Sequence, residues 1–209
     1  MAKRIAYFGP AGTFTQEAAL RYDPSAELVP FPSIAAAALA VRSGMADEAV
    51  VPIENSLEGS VTDTLDLLIR EDRLFIRHEL VLPIEHCLLV KGETQIPDIQ
   101  VVFSHPQALG QCRGFLERCF PKAQLVASLS TAAAVEDMKK SQAPAAAIAP
   151  ARAAEIYGAR ILARGIQDNP SNRTRFVVLA PSDHPPTGRD KTSLCFYFGE
   201  NRPGVLYDA

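Results

Sequence analysis

Short apolar runs alternate with helical periodicity through the first half of the chain. Residues 4–8 (RIAYF), 28–31 and 49–53 are the four- and five-residue apolar runs that form buried strands. Between them, residues 13–21, 33–42 and 60–69 carry helical patterns. In the third, Val61, Leu65, Leu68 and Ile69 fall at i, i+4, i+7 and i+8, one face of a helix. Thr13 with Gln16, and Ser60 with Asp63, have the form of capping boxes. A strand–helix–strand rhythm predicts a mostly parallel sheet covered by helices. Residues 74–90 break the rhythm. They are β-rich and interrupted only by Pro83, and predict a strand, or two, that crosses to a second lobe. The rhythm then resumes, with strands at 101–104, 125–128 and 145–149 and helices at 106–120, 131–140 and 151–157. Pro106 sits where a first helical residue belongs. After Ile161, Leu162 and a polar loop at 167–173, the strand at 175–179 is expected to return to the first lobe.

The domain reading follows: an α/β chain of two lobes, the first made of residues 1–78 plus 170–181 and the second of 79–169. Residues 182–191, polar and rich in proline, read as a linker. Residues 192–198 look like another strand and 201–204 like a turn. The expectation is that residues 192–209 open a further domain inside which the sequence stops.

Composition changes this picture little. The 209 residues are 47% hydrophobic and 22% charged, with a net charge of −3, close to the globular average. No basic stripe points to nucleic acid. The first apolar run is too short for a signal peptide, and no apolar stretch is long enough to cross a bilayer, so a soluble cytoplasmic protein is expected. An acidic chain gains no long-range steering of anions, so an anion site must be built locally. Cys87, Cys112, Cys119 and Cys195 are scattered, with no metal-ligand or disulfide spacing. Cys112 and Cys119 share a stripe with Leu109 and Leu116 and read as small core residues.

Chemistry is expected beyond the carboxyl ends of the strands, where helix N-termini gather. The first strand runs into Gly9, Gly12 and Thr13, the third into Glu54, Asn55, Ser56 and Glu58. Later strands end at Ser104 and His105, and just before Ser130 and Thr131. Free backbone N–H groups at such helix starts can hold carboxylates. Each motif alone also has an ordinary reading as a turn, a cap or a surface acid. Their repetition at successive strand ends argues for a cleft between lobes. The densest cluster, residues 172–176 (NRTRF), lies at the return crossing. An arginine there can fork onto a carboxylate. It can equally be a charged hinge.

Five segments in order, GPAGTFTQEAA (9–19), PIENSLEGSV (52–61), SHPQALGQC (104–112), STAAAV (130–135) and NRTRF (172–176), resemble prephenate dehydratase. The similarity covers residues 4 to about 180. Residues 192–196 and 202–206 look like the opening of the ACT regulatory domain that usually follows, without its phenylalanine-binding segment.

The resemblance implies a fold like the type II periplasmic binding proteins. It implies conversion of prephenate to phenylpyruvate, water and carbon dioxide, a step of phenylalanine biosynthesis. It implies no metal or organic cofactor, and a homodimer or homotetramer. It makes Thr174 the catalytic threonine, with Arg175 orienting a carboxylate or the loop. Glu54 and Glu58 are candidate proton sources if burial raises one pKa. Thr13, Asn55, Ser56, Ser104, His105, Gln111, Ser130, Thr131 and Phe176 are expected to position the substrate. The rival readings are arogenate dehydratase and a two-lobed module that only binds carboxylates.

Overall fold

A computed structural model describes residues 2–70 and 73–195. In the first lobe the chain runs β1 (Arg4–Phe8), α1 (Phe14–Tyr22), β2 (Glu27–Phe31), α2 (Ile34–Arg42), β3 (Glu48–Asn55), β4 (Gly59–Ser60), α3 (Thr62–Arg70) and β5 (Phe75–Pro83). The second lobe holds β6 (Cys87–Val90), β7 (Val101–Ser104), α4 (Pro106–Gln111), α5 (Arg113–Cys119), β8 (Gln124–Ala127), α6 (Thr131–Lys140), β9 (Ala145–Ala149), α7 (Ala151–Tyr157) and β10 (Arg160–Ala163). The chain then returns as β11 (Arg173–Ala180).

The first sheet has the order β2-β1-β3-β11-β5, with the two-residue β4 on β3. The second has the order β10-β6-β9-β7-β8. Each sheet is only half parallel. β1 is parallel to β2 and β3, and β7 to β8 and β9. β11 is antiparallel to β3 and β5, and β6 is antiparallel to β9 and β10. The antiparallel strands flank the crossings: a strand that leaves one sheet for the other cannot be wound by a helical crossover, so it pairs in the opposite sense. Each sheet has a core on both faces. β9 (AAAIA) is buried along its whole length, and its small side chains let α6 and α7 sit close.

Several boundaries differ from the sequence reading. All of β5 pairs with β11 in the first sheet, so the expected lobe boundary at 78/79 falls inside a strand. The outward crossing occupies residues 84–86. It runs beside the return, with Ile84 N–H donating to Asn172 O at 2.9 Å and Ile166 N–H to His86 O at 3.1 Å. The helix expected over 106–120 breaks at Cys112. There the return segment inserts its own bonds: Asp168 N–H donates to Gln111 O at 2.7 Å, and Gly114 N–H to the Asp168 carboxylate at 3.0 Å. The third helix starts at Thr62, because Gly59 and Ser60 pair with β3. Cys112 is buried as expected, but Cys119 is exposed at the end of α5.

Residues 182–191 have no helix or strand. They lie against β5, where Lys191 pairs with Glu79 at 2.9 Å. Of the strand expected at 192–198, residues 192–195 are irregular and exposed, and the rest, with the turn at 201–204, lies outside the described residues. No described helix is long and apolar enough to cross a membrane.

Candidate active site

A cavity of about 240 Å³ lies between the lobes. Three helices start at its edge. Thr13 caps α1 by accepting from Gln16 N–H, His105 caps α4 by accepting from Gln107 N–H, and Ser130 caps α6 by accepting from Ala133 N–H. The N–H groups of a helix's first turn have no partner within the helix, so such starts offer donors and partial positive charge. Phe8, Phe14, Ile84, Leu129 and Phe176 supply apolar wall. Among the described residues, no lysine or arginine lines the cavity.

Part of the polar wall, with Asn172 behind it, is one connected network. Asn55 ends β3, and its Oδ1 accepts from the backbone N–H groups of Leu57 and Glu58 at 3.0 and 3.1 Å. Its Nδ2 is thereby turned the other way. It donates to Thr174 Oγ1 at 2.8 Å and to Asn172 Oδ1 at 2.9 Å. Asn172 Nδ2 donates across the lobe boundary to Gln111 Oε1 at 2.9 Å. The same oxygen lies 2.9 Å from His86 Nε2, and Gln111 Nε2 donates to Glu58 at 3.3 Å. Burial holds the His86 imidazole below its usual pKa, so it is neutral near pH 7; the Gln111 contact opposes that shift more weakly. Phe14 meets the His86 ring edge to face at 5.6 Å.

Eight of the residues singled out in the sequence line this cavity: Thr13, Asn55, His105, Gln111, Ser130, Thr131, Thr174 and Phe176. Glu58 joins its rim through Gln111, from an exposed position. Four others fall elsewhere or play a different part. Successive residues of a strand point to opposite faces. Thr174 and Phe176 therefore face the cavity, while Arg175 pairs on the far face with Glu54 and Glu79, each at 3.6 Å. Glu54 is about half exposed there, so neither acidic candidate is buried. Ser104 is fully buried and donates to Ile148 O at 2.7 Å, tying β7 to β9 rather than facing a ligand. Ser56 accepts from Arg173 N–H at 2.9 Å and fastens the end of β3 to β11. Thr13 also spends its hydroxyl hydrogen on Pro10 O at 2.9 Å.

Two members of this network were not among the assigned site residues, Asn172 and His86. Asn172 stood in the dense cluster but carried no role. His86 had one signal, a polar side chain that, with Glu85, interrupts the apolar run 80–90.

A sequence model of the family described as prephenate dehydratase matches residues 5–184. The bifunctional chorismate mutase/prephenate dehydratase of Aquifex aeolicus is 42% identical over 207 residues, which is 99% of this chain and 56% of that protein. Arogenate dehydratase 5 of Arabidopsis thaliana is 44% identical over 202 residues, 95% of this chain and 47% of that protein. The chain thus spans about half the length of these curated relatives. The crystal structure of prephenate dehydratase from Arthrobacter aurescens in complex with L-Phe superposes with a TM-score of 0.80 at 33% identity, covering 98% of this chain and 69% of that one.

Proposed function

The chain belongs to the prephenate dehydratase family, and on that premise we propose that the interlobe cavity converts prephenate to phenylpyruvate, water and carbon dioxide. This is a carbon–oxygen lyase reaction that serves phenylalanine biosynthesis. Prephenate is a dianion. The bond between the ring and its carboxylate breaks, and the electron pair moves into the ring. The ring C–O bond breaks in turn, and the departing hydroxyl takes up one proton to leave as water. Aromatisation of the ring supplies the driving force, so the protein's task is orientation, assistance to the hydroxyl, and a setting that disfavours the ring carboxylate.

The observation that carries this reading is the state of the Thr174 hydroxyl. Its oxygen already accepts from Asn55, so its own hydrogen is free for an oxygen in the cavity. That is the arrangement needed to assist a departing hydroxyl. A threonine is too weak an acid to supply the proton outright. Glu58, exposed at the rim and bonded to Gln111, is the group we assign to relay that proton from solvent. Glu54 is not given this role, because it pairs with Arg175 on the opposite face of the sheet. The helix starts at Thr13 and Ser130 and the Gln111 amide would hold the carboxylates, with Phe14 and Phe176 against the ring.

The test is direct. The purified chain is given prephenate, and phenylpyruvate is followed by its absorbance in alkali. Turnover that collapses in Thr174→Val supports the reading; prephenate binding without phenylpyruvate would leave a module that only binds. The likeness to arogenate dehydratase 5 favours one alternative, the same chemistry on the transaminated side chain. Competition between the two substrates decides it.

A further inference from the structure

The polar wall has a direction, and it begins at backbone atoms whose polarity admits no choice. Leu57 and Glu58 N–H can only donate, so Asn55 must turn Oδ1 toward them and Nδ2 toward Asn172 and Thr174. Asn172 must then present Oδ1 to Asn55 and Nδ2 to Gln111. Gln111 must present Oε1 to Asn172, and so also to His86. The reverse orientation of Gln111 would oppose two N–H₂ groups at Asn172 and two oxygens at Glu58. An imidazole nitrogen that faces a committed oxygen has to carry the proton. The remaining nitrogen, Nδ1, is buried without a partner among the described residues. As an unprotonated acceptor it costs less there than an orphaned N–H would.

We propose that His86 is a positioning residue of the prephenate site, with a proton on Nε2, and that it locks the Gln111 amide so that Gln111 Nε2 is presented to the substrate's anionic groups. With Oε1 occupied by two donors, both amide hydrogens of Gln111 face the cavity and its rim, one of them toward Glu58. The same relay frees the Thr174 hydrogen at its other arm, so one backbone turn at residues 57–58 sets the polarity of both donors. The substrate named here rests on the reading above. The tautomer does not.

The experiment is therefore in two parts. Nitrogen-15 NMR of histidine-labelled protein, without ligand, reads the tautomer of His86. A neutral ring protonated on Nε2 is expected, moving toward Nδ1–H in Asn172→Asp, whose side chain has no donor for Gln111. A cationic ring at neutral pH, an Nδ1–H ring in the unaltered protein, or a tautomer indifferent to Asn172→Asp would overturn the relay. Prephenate titration then reads the consequence. His86→Leu should weaken binding roughly tenfold, while His86→Gln, whose amide nitrogen can replace Nε2–H, should stay within about threefold. Equal losses in both variants would make His86 a packing residue only. If the unaltered protein neither binds nor turns over prephenate, the proposed function fails and the NMR result still decides the relay.

Discussion

Replacing Thr174 with valine removes one oxygen and leaves the shape of the side chain. Thr174 is 8% exposed, on the cavity face of a strand held by β3 and β5, so the backbone has little freedom to answer the change. Two effects follow. The first is local: Asn55 Nδ2 keeps Asn172 Oδ1 but loses its second acceptor, leaving one buried N–H unpaired. That costs about 1–3 kcal/mol of folding stability, seen as a lower midpoint in urea. The second is chemical. Loss of a donor aimed at developing charge in a closed site lowers turnover by about 10²–10³-fold. The donor acts on an oxygen that carries charge only as the C–O bond breaks, so the loss should fall on kcat and leave prephenate affinity within about threefold. Thr174→Ser, which keeps the hydroxyl, should recover most of the rate. Phenylpyruvate absorbance gives kcat and calorimetry gives affinity. A Thr174→Val enzyme within about threefold of normal turnover would refute the role assigned to this hydroxyl.

Further predictions concern neighbouring features. Arg175 lies between Glu54 and Glu79 on the outer face, so Arg175→Gln should cost more than Glu54→Gln, with a coupling of about 0.5–1 kcal/mol between the two in a double-mutant cycle of urea midpoints. Independent, additive losses would mean that Arg175 works elsewhere. Gly12 has φ of +84°, and an added Cβ would lie 3.1–3.2 Å from Tyr157 and Ala153 of the second lobe. Gly12→Ala should cost about 1–2 kcal/mol and weaken substrate binding by prising the lobes apart, read by thermal melting and calorimetry. His86 is held neutral in the fold, so the unfolded chain binds more protons once pH drops below about 6.5. Its contribution is complete above that value and is lost as pH falls, at up to about 1.4 kcal/mol per pH unit. Urea midpoints between pH 7 and 5 should slope less in His86→Gln.

Local periodicity carried the elements. Runs such as Ala145–Ala149 and the helix starts at Ser33, Ser130 and Pro106 are decided by neighbours within four residues, and all lie where the sequence puts them. The strand ends that gather in the cavity were legible for the same reason. The two faces of β11 were nearly so. The sequence reading begins that strand at 175, which leaves Thr174 outside it with no face assigned. Begun at Arg173, where β11 starts, the alternation alone sends Thr174 and Arg175 to opposite faces. Pairing with β5 extends the strand to that point, and pairing is a long-range fact. The remainder belongs to tertiary structure. Ser104 ends a strand like any other site candidate, but β9 lies alongside and takes its hydroxyl. The break at Cys112 comes from a return segment more than fifty residues away in sequence. His86 and Asn172 meet through Gln111 because both crossings run side by side. No local pattern encodes that meeting; it exists only once two lobes share a boundary.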